Sequence, residues 1–342
     1  MSIVKPQTPR SRERGVVLLW TAFFLMLMLG FVALGIDVAK VMATRTQLQN
    51  AADAAALAGA SSINYATGAL MPDTAVARAQ VVAGKNAAYT NEAVPIQLLA
   101  GDVSFPAPDE VKVIVRRDPS AGGSMVTHMA QVLGIKTIEV TATATAKVEP
   151  AGSVLCGIVP LGISPPPGQS FQTGCSPGYK LKLPGGSGSV GNYMPVTLPM
   201  CNDGPCAGLG PTGANAYECM LERGYCCEIV PGTVTNTQPG NMSGPTRSAI
   251  DYRFDNDTDQ RQGICYSQYR GNNQRIVTVP VTSPMGNGSS PVTITGFATF
   301  FIKNRPGSGI ASTIDGEFIY MTVPGGGGGS NSNTAFAIRL IK

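Results

Sequence analysis

The chain opens on a sharp change in polarity: a basic stretch gives way at Val16 to an unbroken apolar run that ends at Ile36, and Asp37 restores charge. About 21 residues rising ~1.5 Å each reach about 31 Å, the thickness of a bilayer's hydrocarbon core. The run therefore predicts a transmembrane helix over 16–36. No helix breaker follows before Ala60, so the helix is expected to continue past the membrane. Leu34, Val38, Val41, Leu48, Ala52 and Ala55 recur at helical spacing, with Arg45 interrupting the stripe. Two ridges of small residues run along the same stretch, Ala51–Ala55–Gly59 and Ala52–Ala56–Ala60. They suit close approach of another helix or sheet, although alanine also simply maximises helix propensity.

Further along, Asp73 predicts the N-cap of a second helix over 74–91, with Val76, Val81 and Val82 as its apolar positions. Alternation over Val111–Arg116, as Val, Lys, Val, Ile, Val, Arg, predicts a strand. A short helix is expected from Met125 to Leu133, stopped by Gly134, and Thr137–Val148 alternates β-branched residues with alanine and charge. After residue 150 the pattern shifts to strands separated by glycine and proline. Arg275–Val281 and Val292–Ile302, parted by Pro284–Pro291, predict paired strands; Phe318–Val323 and Ala335–Ile341 predict two more, with Gly325–Gly329 as a flexible connection.

The expected class is α+β: an N-terminal transmembrane helix extending into a small periplasmic α+β module, followed by a disulfide-containing β-rich domain. The corresponding divisions are a cytoplasmic basic tail over 1–15, the membrane helix over 16–36, the α+β module over 37–150 and the β-rich domain over 151–342.

Charge sets the expected orientation. Lys5, Arg10, Arg12 and Arg14 against Glu13 give the tail +3 of the chain's net +4, which favours a cytoplasmic N-terminus and an exported remainder. The exported part is near neutrality, so the basic balance speaks of topology and not of nucleic acid. A signal-peptidase site near Ala33 and Gly35 would require a shorter apolar core. Prepilin cleavage after Gly15 would place Trp20 where glutamate is usual. The N-terminal segment is expected to remain attached.

All eight cysteines, Cys156, Cys175, Cys201, Cys206, Cys219, Cys226, Cys227 and Cys265, lie after residue 150, in the expected exported part. An even number in an exported region predicts disulfides whose pairing spacing does not disclose, with adjacent Cys226 and Cys227 taking different partners. Zinc is a poor fit, since no CxxC pair occurs and the single histidine, His128, lies outside the cysteine cluster.

The order of residues in Leu48-Gln49-Asn50-Ala51-Ala52-Asp53-Ala54-Ala55-Ala56-Leu57-Ala58-Gly59-Ala60, with Arg14-Gly15 before the apolar run and Asp37 at its exit, resembles the TadG/TadE-like family of tight-adherence (Flp) pilus-assembly proteins. VTATATAKV resembles the end of that family's first periplasmic module, and the likeness covers about residues 1–150. CGIVPLGI from Cys156, PGNMSGPTR from Pro239, RIVTVPV from Arg275 and VTITGFATFFI from Val292 are similar to the C-terminal region of some members. The resemblance implies a bacterial inner-membrane protein, single-pass, with a periplasmic C-terminal domain. It would be a structural or assembly component of the pilus system, or a minor pilus component. Its implied partners are the inner membrane and pilus-assembly proteins or pilins. The alternative is a surface adhesin binding host or matrix material through the β domain.

Catalytic chemistry has few residues to draw on. A histidine-based scheme would depend on His128, set among Met125, Val126, Met129 and Val132; no P-loop, dinucleotide fingerprint or Asp-x-Ser-x-Ser metal site of the von Willebrand type is present. No enzyme and no cofactor are expected. Asp255, Asp257 and Asp259 imitate the start of a calcium loop, but Gln260 and Tyr266 stand where an EF-hand has glycine and glutamate. They are read as a solvated acidic turn or, less favoured, a calcium site.

Overall fold

The computed structural model describes residues 13–89, 93–165, 171–176, 178–181, 192–238, 240, 242–286, 288–308, 312–329 and 334–341; the basic tail through Arg12 lies outside them. Helix α1 runs unbroken over Glu13–Ala60. Among the described residues it is the one helix long and apolar enough to cross a membrane. Helix α2, Pro72–Gly84, is shorter than its sequence pattern suggests, because Ala87–Tyr89 turns into a strand. Its inward face also differs from expectation. Ala75, Ala79 and Ala83, spaced one helical turn apart, are fully buried while Val81 is exposed.

The chain folds into two compact units: one gathers Met1–Ala55, Ala79–Val103 and Val113–Ala144, the other Ala56–Arg78, Ser104–Lys112 and Thr145–Lys342. Two long strands, Glu110–Arg117 and Val140–Pro150, pass from one unit into the other.

In the first unit, Ala87–Tyr89 pairs antiparallel with Ala93–Pro95, and Met125–Val126 with Thr137–Ile138. Alternation along Glu110–Arg117 buries Val113 and Val115, as the sequence pattern predicts. It also buries Arg117, whose guanidinium donates to the carbonyls of Ala88 (2.9 Å) and Val94 and to Gly122 (3.3 Å). That cation thus reaches both strands of the small hairpin and the backbone at Gly122. The expected helix over Met125–Leu133 is instead a strand followed by a single 3-10 turn, Ala130–Leu133, closed by Gly134 at φ 86°.

The second unit is built on a seven-stranded sheet. Its main path runs Asn192–Pro195, Leu161–Ser164, Ile276–Thr282, Pro291–Ile302, Ile314–Ile319, Tyr179–Leu181, with Val234–Asn236 pairing along Pro291–Ile302. The expected central pair forms in antiparallel register, Ile276 opposite Phe301, with a bulge between Val281 and Thr282. From Gly296 to Ile302 every residue is buried, because the sheet is covered on both faces there. Two helices unforeseen in the sequence supply one cover: α3 over Ala214–Arg223 and α4 over Ser243–Asp255. Tyr217 and Leu221 of α3 and Ala249, Ile250 and Phe254 of α4 share a core with Val277, Val279, Phe300 and Phe318.

A second layer of strands closes this unit. Ala335–Ile341 pairs antiparallel with Thr145–Pro150 and parallel with Met321–Thr322. Four disulfides join Cys156–Cys226, Cys175–Cys265, Cys201–Cys227 and Cys206–Cys219. Cys226 and Cys227 thus take different partners, and no described cysteine is free.

The glycine run is packed, contrary to the flexible connection its composition suggests. Gly326 accepts from the backbone N–H groups of Gly152 (2.8 Å) and Ser153 (3.1 Å), and Gly329 donates to Pro150 (3.0 Å). A Cβ at Gly325 would lie on the Ser153 carbonyl oxygen, and one at Gly329 on that of Ala151. Glycine is required there by close backbone approach, not by a need for motion. Gly325→Ala and Gly329→Ala are each expected to cost about 1–3 kcal/mol of stability in urea unfolding. Gly101→Ala, where a Cβ meets nothing within 4 Å, should leave the midpoint nearly unchanged.

Candidate functional site

The alanine-rich motif Leu48–Ala60, Arg14-Gly15 and Asp37 lie on α1, and the structure separates that helix into two regimes. From Val16 to Ile36 the large apolar side chains point outward all round the helix and are exposed. Beyond Asp37 one face turns inward: Asp37, Thr44, Leu48, Ala51, Ala52, Ala55, Ala56, Gly59 and Ala60 are buried. The inward face matches the apolar stripe read from sequence only in its second half, where Leu48, Ala52 and Ala55 are buried. Leu34 and Val38 of that stripe are exposed, Val41 is half-buried, and polar Asp37 and Thr44 take the inward positions instead. Arg45, which interrupts the stripe, is exposed.

Both small-residue ridges are covered by the chain's own fold. Gln49, beside them, donates to the Thr143 carbonyl (3.1 Å) and to Asp53 Oδ1 (2.8 Å), tying α1 to the strand that follows Val140. Thr44 Oγ1 points at the Met125 sulfur at 3.6 Å. If close packing is what alanine provides here, Ala55→Leu is expected to cost about 1–3 kcal/mol by overpacking. Ala55→Gly would cost only the roughly 1 kcal/mol of lost helix propensity. Chemical denaturation of the two variants gives the order; a larger loss with glycine would leave the alanines as helix formers alone.

Asp37 is the polar centre of the helix's exit. It is 2% exposed, and its carboxylate accepts three backbone N–H bonds, from His128 (3.0 Å), Met129 (2.8 Å) and Ala130 (2.8 Å). These are donors at the start of the 3-10 turn Ala130–Leu133 that have no partner within the turn itself. One acid on α1 thus anchors a loop more than ninety positions away. His128 contributes its backbone N–H to Asp37, and the residue itself is exposed.

The acidic turn of the second unit uses its carboxylates internally. Asp255 accepts from Arg305 at 2.6 Å. Asp257, buried, accepts from the Asp259 N–H (2.7 Å) and the Tyr269 hydroxyl. Asp259, also buried, is held by the Arg261 guanidinium (2.8 and 2.7 Å) and the Arg270 N–H (2.9 Å). Three carboxylates already bonded to protein donors make a turn scaffold, and a calcium ion would have to displace those donors. Gly271 is part of the same scaffold, since a Cβ there would strike Asp257 and the Tyr269 ring.

The Arg261 side chain, then the backbone donors, hold the Asp259 carboxyl well below the usual carboxylate range. A depressed folded-state pKa gives stability that is complete above the unfolded value, near 3.9, and is lost as pH falls through the folded one. The thermal midpoint is expected to drop on acidification below about pH 4, and Asp259→Asn should lower it at neutral pH while flattening that acid limb. A variant with an unaltered acid limb would assign the loss elsewhere.

Cys175 and Cys265 bring their sulfurs and the Glu317 carboxylate within 4.8 Å of one another, a spacing metals favour. The two sulfurs are bonded to each other, and Glu317 accepts from the Tyr266 N–H at 2.5 Å, so the cluster is a crosslink beside a satisfied acid.

Sequence reasoning overlooked the buried arginines. Arg275 is fully buried, its guanidinium over the rings of Phe254 (4.7 Å), Tyr269 (4.8 Å) and Phe301 (4.8 Å). Arg253, six-percent exposed, donates to the carbonyls of Leu221 (2.5 Å) and Gln274 (2.7 Å). The only advance signal was their placement next to aromatic and apolar residues, in RFD and QRIV.

No curated protein and no solved structure is significantly similar to the chain. Residues 15–62, the part of α1 that holds the apolar run, Asp37 and both alanine ridges, match the Tad family model, described as "Putative Flp pilus-assembly TadE/G-like".

Proposed function

We propose that the protein is a membrane-anchored structural component of a tight-adherence (Flp) pilus-assembly system. The observation that carries this reading is the placement of the family match on α1, which supplies in one rigid element an apolar span and a packed extension. In this reading α1 fixes the chain in the bacterial inner membrane, with the basic tail cytoplasmic by the positive-inside rule. The disulfide-bonded unit then stands in the periplasm, an oxidising compartment that suits its four crosslinks. Its part is to present a folded surface to pilus-assembly proteins or pilins, and to do no chemistry of its own.

Crosslinking in cells through photoreactive residues on the exposed surface of the second unit, with identification of the trapped proteins, tests the assembly role. Capture of pilus-assembly proteins or pilins from inner-membrane fractions supports it. Recovery of the protein in sheared pili or on intact cells, with no such crosslinks, would instead support an adhesin. Protease treatment of spheroplasts tests the orientation: the disulfide-bonded unit should be degraded from outside, and its protection would reverse the topology.

A further inference from the structure

The loop held by Asp37 has an unusual surface. Of its residues, Val132 is 83% exposed, Ile135 50% and Met129 48%, although each is apolar. Together with α1 this loop forms a cavity of about 350 Å³, walled by Leu27, Gly30, Phe31 and Leu34 on the helix and by Met129 and Val132 on the loop. None of these side chains carries a charge.

Position along the helix sets the depth of that cavity. Asp37 pins His128, Met129 and Ala130 one residue past the end of the apolar run. Leu27 lies nine residues before Ile36, about 14 Å along the axis, and one leaflet of the hydrocarbon core is about 15 Å thick. The loop thus hangs from the level of the exit and lies along the final stretch of the run. Exposed His128 on one side and exposed Lys136 on the other are the polar margins such a segment needs at a headgroup layer.

We infer that residues 128–136 form a second membrane contact, seating Met129, Val132 and Ile135 in the leaflet from which α1 emerges, with lipid acyl chains filling the cavity. The inference rests on α1 being a membrane span. Acyl chains are the occupant because the cavity wall is continuous with the exposed apolar surface of that span. Phe31, Val32 and Met28 surround the same level of the helix and are themselves exposed, so whatever solvates them also reaches the cavity. The consequence is a two-point attachment, which fixes the tilt and rotation of the first unit on the membrane where a lone helix would leave them free.

Fluorescence from a single tryptophan tests this directly. The chain has one tryptophan, Trp20, inside the apolar run. The full-length protein carrying Trp20→Phe and Val132→Trp is placed in phosphatidylcholine–phosphatidylglycerol vesicles, and compared with vesicles whose acyl chains are brominated. The substitution is at an exposed position, so folding should persist. The expected result is a blue-shifted emission from the indole at position 132 and loss of most of its intensity in brominated lipid. Water-like emission indifferent to bromination would overturn the inference. So would a blue-shifted emission that bromination leaves intact, which would mean that protein covers the loop. The unaltered protein separates the two readings: if Trp20 is quenched and the indole at 132 is not, the loop inference alone fails. If neither is quenched, the membrane span fails and the inference with it.

Discussion

Reduction of the four disulfides is expected to unfold the second unit at neutral pH without added denaturant. The crosslinks close loops of 70, 90, 26 and 13 residues, and each native disulfide of this kind contributes roughly 2–4 kcal/mol, largely by restricting the unfolded chain. Even with incomplete additivity their joint contribution is about 10 kcal/mol, comparable to the entire stability of an ordinary domain. Circular dichroism under graded reductant, with quenching of free thiols and peptide mapping, should show loss of structure in step with thiol release. Cys175 is the exposed member of the set, and its sulfur lies 3.4 Å from the Lys303 ammonium, which favours it as a thiolate leaving group. Cys175–Cys265 should therefore open first. Retention of the native spectrum after all eight thiols are alkylated would show that the sheet and its two helices hold the unit by themselves.

Truncation of Arg275 is expected to be the most damaging of the single substitutions. Its Nη1 donates to the Arg261 carbonyl at 2.8 Å, while Nε and Nη2 are buried without hydrogen-bond partners. Three aromatic faces take the place of those missing acceptors, and nearby Asp257 and Asp259 oppose the downward push that burial exerts on the guanidinium pKa. Arg275→Ala would leave a cavity among Phe254, Tyr269 and Phe301 and remove a positive charge near Asp257 and Asp259, for a loss of about 3–5 kcal/mol. Arg275→Lys should recover little, because an ammonium cannot lie flat against three rings. Arg275→Met fills most of the volume and removes the unpartnered donors, so it should be milder than either. Equilibrium unfolding of the three variants gives the order. Equal losses for methionine and alanine would mean that charge, and not packing, is what the position supplies.

The elements that were legible in advance are those whose pattern is a run or an alternation. The apolar stretch before Asp37, the strand Glu110–Arg117 and the central pair Ile276–Thr282 and Pro291–Ile302 are of this kind. What escaped depends on partners distant in sequence. Asp37 looks like the polar end of a span, and only the fold brings the amides of His128–Ala130 to it. Helix α2 was assigned its valines because they are more apolar than its alanines, yet close packing selected the smaller side chains. Helix α3 does carry a helical period, with Ala216, Tyr217, Met220 and Leu221 on one face, but over only ten residues in a glycine-rich stretch; α4, rich in charge, gives little periodic signal. The glycine run was misjudged for the related reason that composition does not disclose a neighbouring backbone. For the acidic turn, the alternation of Asp255, Asp257 and Asp259 was visible, but the arginines and the tyrosine that engage it come from separate elements.

The pairing of Ala335–Ile341 with Thr145–Pro150 bears on when this protein can fold. Arg339 meets Glu149 across 190 residues of chain, so Ala335–Ile341 leaves the ribosome long after Thr145–Pro150, the stretch it pairs with. Pairings of such long range are slow to form. If the chain passes a membrane during synthesis, Val140–Pro150 must wait on the far side with one edge unpaired until Ala335–Ile341 arrives. Any truncation that removes Ala335–Ile341 would leave that waiting edge permanently open, a template for association with other unfolded chains.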